Sequence, residues 1–233
     1  MQDKLKDVLL YTGMFFLMCL LVFVGFRYLE DRAYYFISVG ILLIGSVPFI
    51  IQIERKNLRV RELVILAVMI SLGVAARTAF FMVPQFKPVV AIVIISSIAF
   101  GSNSGFIVGA MTMLVSNFFF GQGPWTPWQM LALGLIGYIT GSIFEKRPGK
   151  LILSIYGFLV TFIIYGGIVN LASVMMFTNS ITLERIMASY VSAIWFDLIH
   201  ALATFTFLFI ISNEMLDQLN RAKIKYGLLE GKI

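Results

Sequence analysis

Apolar residues in this chain come in long, nearly unbroken runs, not in the alternating or one-faced patterns of soluble elements. The runs cover 8–26, 34–53, 63–83, 88–100, 105–121, 128–144, 151–177 and 186–212. A helix needs about 20 apolar residues to cross the hydrocarbon core of a bilayer, so the pattern predicts an all-α integral membrane protein. The fourth run is short. Pro88 and Gly101 bound it, and at 1.5 Å per residue it reaches about 20 Å. It either crosses a thinned region or pairs with the fifth run as a re-entrant element buried in protein. The first two runs are rich in Leu, Phe, Val and Ile with few polar groups. They read as two added N-terminal transmembrane helices, an appendage over 1–60, on a six-helix core over 61–233 that ends in a cytoplasmic tail, loose after Gly227.

Composition agrees with this reading. Of 233 residues, 60% are hydrophobic and 13% charged, against about a quarter charged in soluble domains. The first residues, with a charged start and a long apolar stretch, read as a retained transmembrane helix and not a signal peptide. One cysteine, Cys19, and one histidine, His200, exclude an internal disulfide and a cysteine or histidine metal cluster. No metal site and no intrinsic cofactor are expected.

The net charge of +6 raises nucleic acid as a partner, but the layout of the charges points to the lipid bilayer instead. With the N-terminus cytoplasmic, thirteen of the eighteen lysines and arginines fall on inside segments, among them Arg55, Lys56, Arg59, Arg61, Lys146, Arg147 and Lys150. That bias places a multi-pass protein in the cell membrane with both termini inside. Three loops, 84–88, 121–127 and 178–185, then meet at the outer face.

Small residues mark helix contacts. Ala67, Ser71, Ala75 and Ala79 are four apart and form one stripe, which lets another helix approach closely. It serves either packing within the bundle or a partner. Glycines 134, 137 and 141, and 157, 166 and 167, read as internal packing.

Chemistry is sparse. "RPGKL" lacks the glycine pattern and the Ser/Thr of a P-loop, so ATP is not bound through that motif. A serine–histidine intramembrane protease would need "GSNSG" and His200 in roles their positions do not suit, and no pair of intramembrane carboxylates exists. Ionisable groups within a membrane are costly and mark function or a paired structural site. Arg77 lies about two turns below the outer end of its helix. Asp197 and His200, three apart, share a face of the last helix. Either Arg77 lines a polar cavity with Asp197 beneath it, or Arg77 snorkels and the Asp197–His200 pair bonds neighbouring helices. Asn117 and Asn170 are further polar candidates, asparagine also being ordinary glue between helices.

The loop "GQGPWTPWQM" is unusual for a connector. Pro124 and Pro127 fix two φ angles, and Thr126 suits the N-cap of the next helix. Trp125 and Trp128 fit an interfacial aromatic belt, but a stiff Pro-Trp-Thr-Pro-Trp-Gln array also reads as a preorganised ligand wall. Gln122 and Gln129 flank it with polar groups.

The stretch from "ELVILAVMISLGVAARTAFF" through "FGSNSGFIVGAMTMLVSNFFFGQGPWTPWQMLALGLIGYITG" resembles the substrate-binding S components of energy-coupling factor (ECF) vitamin transporters, over residues 61 to 212. Within them it resembles the cobalamin or corrinoid subgroup. The resemblance implies a six-helix bundle that is not an enzyme and captures a vitamin at the outer face. It implies a membrane T subunit and two ATPase subunits as partners. An Ala-x-x-x-Ala pair on the first core helix would meet the T subunit, through Ala67-x-x-x-Ser71 or Ala75-x-x-x-Ala79. For a corrinoid, Trp125 and Trp128 would pack on its faces, and Arg77, Asn117 and Gln129 would meet its amide rim. Riboflavin, folate and queuosine precursors are the alternatives, and a membrane scaffold that binds only protein is a further one.

Overall fold

The computed structural model describes residues 60–144, 146–177 and 182–227, with scattered helical positions between 12 and 47. The two leading spans and the tail beyond Gly227 lie otherwise outside the described residues. The chain is all-α. Helix α1 runs Val60–Ala79, α2 Val89–Phe100, α3 Ser102–Phe120 and α4 Thr126–Ile143. Helix α5, Lys150–Val160, passes through a π-turn at Thr161–Tyr165 into α6, Gly166–Phe177, and α7 runs Leu183–Tyr226. Counting α5 to α6 as one, these are the six segments expected of the core. Among the described residues, four stretches, 60–79, 102–120, 150–177 and 183–226, are long and apolar enough to cross a membrane.

Contact pairs give the topology. Gly73 abuts Thr112 and Arg77 bonds Ser116, so α1 and α3 run parallel. Helices α3 and α4 form an antiparallel hairpin, with Gly109 against Leu133 and Asn117 bonded to Gln129. Along α5 to α6 and α7 the partners run oppositely: Arg147 with Asp217, Thr161 with Thr204, Gly166 beside Asp197. Of the glycines predicted as packing positions, 134, 137, 141, 157 and 166 pack closely, whereas Gly167 has nothing within 4 Å. A Cβ on Gly109 or Gly137 would collide with the facing backbone of Leu133 or Gly105, so the two helices touch backbone to backbone.

Helix α2 is the short fourth run. All its residues except Ile98 and Ala99 are buried, and a helix of 12 residues spans about 18 Å. It is enclosed by protein, the setting in which short or irregular elements at membrane depth are tolerated. Its apolar side chains (Val89 to Ile95) form the centre of the core, with Met69, Leu133, Leu153 and Leu208 packed around them. Gly101, at φ +86°, turns the chain straight into α3.

The basic segments gather at one end. Arg147 bonds Asp217 and Asn213, and Lys223 reaches the carbonyl of Ala99 at the foot of α2. At that end α7 continues well past residue 212 to Tyr226, where Gly227 closes it in the left-handed conformation. Ala67, Ser71, Ala75 and Ala79 are all exposed, so their stripe faces away from the described bundle.

Candidate functional site

Because α2 is short and begins inside the bundle, space is left beyond its first turn. A cavity of about 280 Å³ occupies it, with Val89, the first residue of α2, in its wall. Around it stand Arg77 from α1, Gln85 and Lys87 from the loop before α2, and Met113 and Gln129 from α3 and α4. Tyr165 and Asn170, beside His200 and Asp197, complete the wall.

Each side chain is placed by its element. Arg77 donates through Nη1 to Ser116 Oγ at 2.5 Å and Asn117 Oδ1 at 2.7 Å, and its guanidinium lies 4.9 Å from the Phe120 ring centroid. It is therefore anchored inward and does not snorkel. Asn117 is buried and donates through Nδ2 to Gln129 Oε1 and to Thr126 Oγ1, both at 2.9 Å. One asparagine thus fixes two residues of the wall without lining it. The π-turn ends at Tyr165, which meets the His200 ring edge-on at 4.9 Å. Such turns often mark functional positions in helices. Asn170 Nδ2 donates to Asp197 at 2.6 Å. A Cβ on Gly166 would stand 2.9 Å from that carboxylate, so glycine there makes room for it. Asp197 and His200 share a face as expected, but Asp197 bonds Asn170, and His200, only 4% exposed, leaves Nε2 without a hydrogen-bond partner.

The loop before α2 is tightly wound. Phe86 N bonds Pro84 O at 2.7 Å and Lys87 N bonds Gln85 O at 2.9 Å, two successive three-residue turns. Gln85 has φ +57°, uncommon for a residue with a side chain. Phe86 packs on Phe80 and Phe207, which draws the loop into the bundle. Burial first, and then the Arg77 charge, hold the Lys87 ammonium below the usual lysine range.

Arg77, Gln129, Asn170, Asp197 and His200, all singled out by the sequence, come together here. Gln122, Pro124, Trp125, Thr126 and Trp128 do not line the cavity. Trp128 is buried against Ile37, Ala172 and Met175, and the Trp125 ring lies against Gly123. Thr126 is the first helical residue and not the N-cap, which is Trp125. Its hydroxyl instead donates to Gln122 Oε1 and accepts from Asn117, tying the loop to α3. Gln122 also donates to the Leu114 carbonyl. The loop is stiff for structural reasons visible here. Sequence reasoning missed Lys87, Gln85 and Tyr165. Among the described residues, no group of three or more metal-ligating side chains is found.

The chain matches the family model described as ECF-type riboflavin transporter, S component, over residues 57–221. The chain belongs to this family of ECF S components. No curated protein and no solved structure matches. As an S component with these apolar helices, it is a multi-pass membrane protein. The family is one of transporter components, and the match begins just before α1, so it covers the six-segment core and leaves out the leading residues.

Proposed function

We propose that this chain is the substrate-capture subunit of an ATP-driven ECF importer, and that its ligand is a compact vitamin or vitamin precursor of about the size of riboflavin. The observation that carries the proposal is the polar cavity beyond α2, in a chain of this family. Pockets for drug-sized ligands measure about 300–1,000 Å³, so 280 Å³ suits a small, flat molecule. A corrinoid is much larger than that, and the two tryptophans that would stack on it stand outside the cavity. The family's riboflavin designation supports the smaller ligand. Capture at the outer face, with both termini cytoplasmic, follows from the charge layout. The exposed stripe of Ala67, Ser71, Ala75 and Ala79 is the surface offered to the T subunit, whose two ATPase partners supply the energy this chain has no P-loop to harvest.

The test is calorimetric titration of the purified chain with riboflavin, riboflavin 5′-phosphate, folate and cyanocobalamin. Saturable binding of a compact ligand near one per chain is expected, with none for cyanocobalamin. Binding of cyanocobalamin alone would reinstate the corrinoid and refute the size argument. Co-expression with a T subunit and ATPases should yield a single complex on purification.

A further inference from the structure

We infer that the captured ligand carries an acidic group, a carboxylate or phosphate monoester, seated between Arg77, Lys87 and His200. This rests on the reading of the cavity as a capture site and names the ligand chemistry it selects. Two cationic side chains line one small cavity. Arg77 donates only through Nη1 among the described residues, leaving the Nε and Nη2 edge uncommitted. Its partners Ser116 and Asn117 are neutral, so its charge is held in place and not neutralised. The Lys87 ammonium makes no hydrogen bond or ion pair among the described residues.

The carboxylate in the wall, Asp197, is taken up by Asn170 and forms no ion pair with either cation. Uncompensated cations in a partly desolvated site are costly, and the mutual repulsion of Arg77 and Lys87 adds to the cost. An incoming anion relieves both. The His200 Nε2 atom points the same way. It is a buried polar atom without a partner, on a residue of the cavity wall, and such an atom calls for an explanation, of which a small shift of the ring toward a bound acceptor is one. Helix α2 adds a further contribution. It begins at the cavity, no side chain caps it, and helix N-termini favour negative charge. The wound loop, with Gln85 at positive φ, fixes Lys87 one residue before the N-cap Pro88.

The experiment has three arms on the purified full chain. Riboflavin and riboflavin 5′-phosphate differ only in the phosphate group. The ester should bind about tenfold more tightly or better, as a charge-assisted contact implies, and Lys87→Gln should bring the ratio to about one, with Lys87→Arg restoring it. Lys87 lies on a loop, so its replacement spares the helix packing. Thermal unfolding with inorganic phosphate against chloride at equal ionic strength reads the anion site without any flavin. The wild type should be stabilised, and Lys87→Gln and Arg77→Gln should not be.

In neutral-lipid nanodiscs, added phosphatidylglycerol should leave the affinity for the ester unchanged. Competition there would assign the site to a lipid headgroup and overturn the proposal. A phosphate response without flavin binding keeps the acidic-group inference and removes the flavin-sized ligand. Riboflavin binding as tightly as its ester, with no phosphate response, keeps the capture role and overturns the acidic group.

Discussion

Asn117 is the residue whose removal should be felt at both the fold and the site. It is 1% exposed, and its amide makes three hydrogen bonds: one accepted from Arg77, one donated to Thr126 and one donated to Gln129. Hydrogen bonds within membrane proteins average about 0.6 kcal/mol, which sets a floor of about 2 kcal/mol for the three. The bond from Arg77 is charge-assisted, and such bonds contribute about 1.5–3 kcal/mol, so Asn117→Ala should cost about 2–4 kcal/mol of stability. Arg77 keeps Ser116 as a partner and should stay in the cavity, but it and Gln129 lose their shared support. Ligand affinity should fall about 10- to 100-fold, one to two steps of 1.4 kcal/mol. Thermal unfolding in detergent and calorimetric titration read the two effects separately. Asn117→Asp is the informative companion. It keeps the acceptor for Arg77 and places a carboxylate on the guanidinium, so it should hold stability better than alanine while weakening an acidic ligand at least as much. An Asn117→Ala protein with wild-type melting and wild-type affinity would refute the role assigned to this network.

Three further outcomes are expected. Trp125→Ala should change affinity less than about threefold, whereas Trp128→Ala, emptying a buried site, should lower stability by about 3–5 kcal/mol; a large binding defect confined to Trp125→Ala would bring back the aromatic wall. Gly109→Ala should destabilise by about 1–3 kcal/mol, because its methyl meets the Leu133 backbone and the α3–α4 hairpin must part, which denaturation melts would show. Because Lys87 titrates below the usual lysine value of about 10.4, affinity for an acidic ligand should decline as pH rises, sooner than an ordinary lysine would require. The sign for the empty chain is opposite: the folded state binds fewer protons at Lys87 than the unfolded state, so that residue's contribution to stability grows with pH across the same range. A pH series of titrations and melts, with Lys87→Gln as reference, checks both directions.

Much of the core was legible because its signals are local. Pro88 and Gly101 delimit α2, and the glycines at 134 and 137 mark the backbone contact with α3 that the structure contains. Arg77, Asn170, Asp197 and His200 were legible as site residues for one reason: each is polar within an apolar run, where a polar group needs a purpose. Tyr165 gave no such signal, since an aromatic residue in an apolar run looks like any other, and it is the last residue of the π-turn. Lys87 and Gln85 looked like ordinary loop residues. Only the packing of Phe86 on Phe80 and Phe207 brings them inside. The tryptophan loop stands apart from this cavity. Its rigidity is real, but it ties α3 to α4 through Thr126, Asn117 and Gln122 and buries Trp128 in a packing cluster. Tryptophan, equally at home in a wall, a belt or a core, does not announce which from sequence alone.

The most direct measurement is mass spectrometry of whatever small molecule co-purifies with the full chain, compared between wild type and Ala193→Trp. Ala193 lines the cavity, and a tryptophan there would fill much of the space. One compact ligand in the wild type, well below corrinoid mass and absent from the variant, is the expected result. A corrinoid, or a ligand retained equally by both proteins, would contradict the assignment of capture to this cavity.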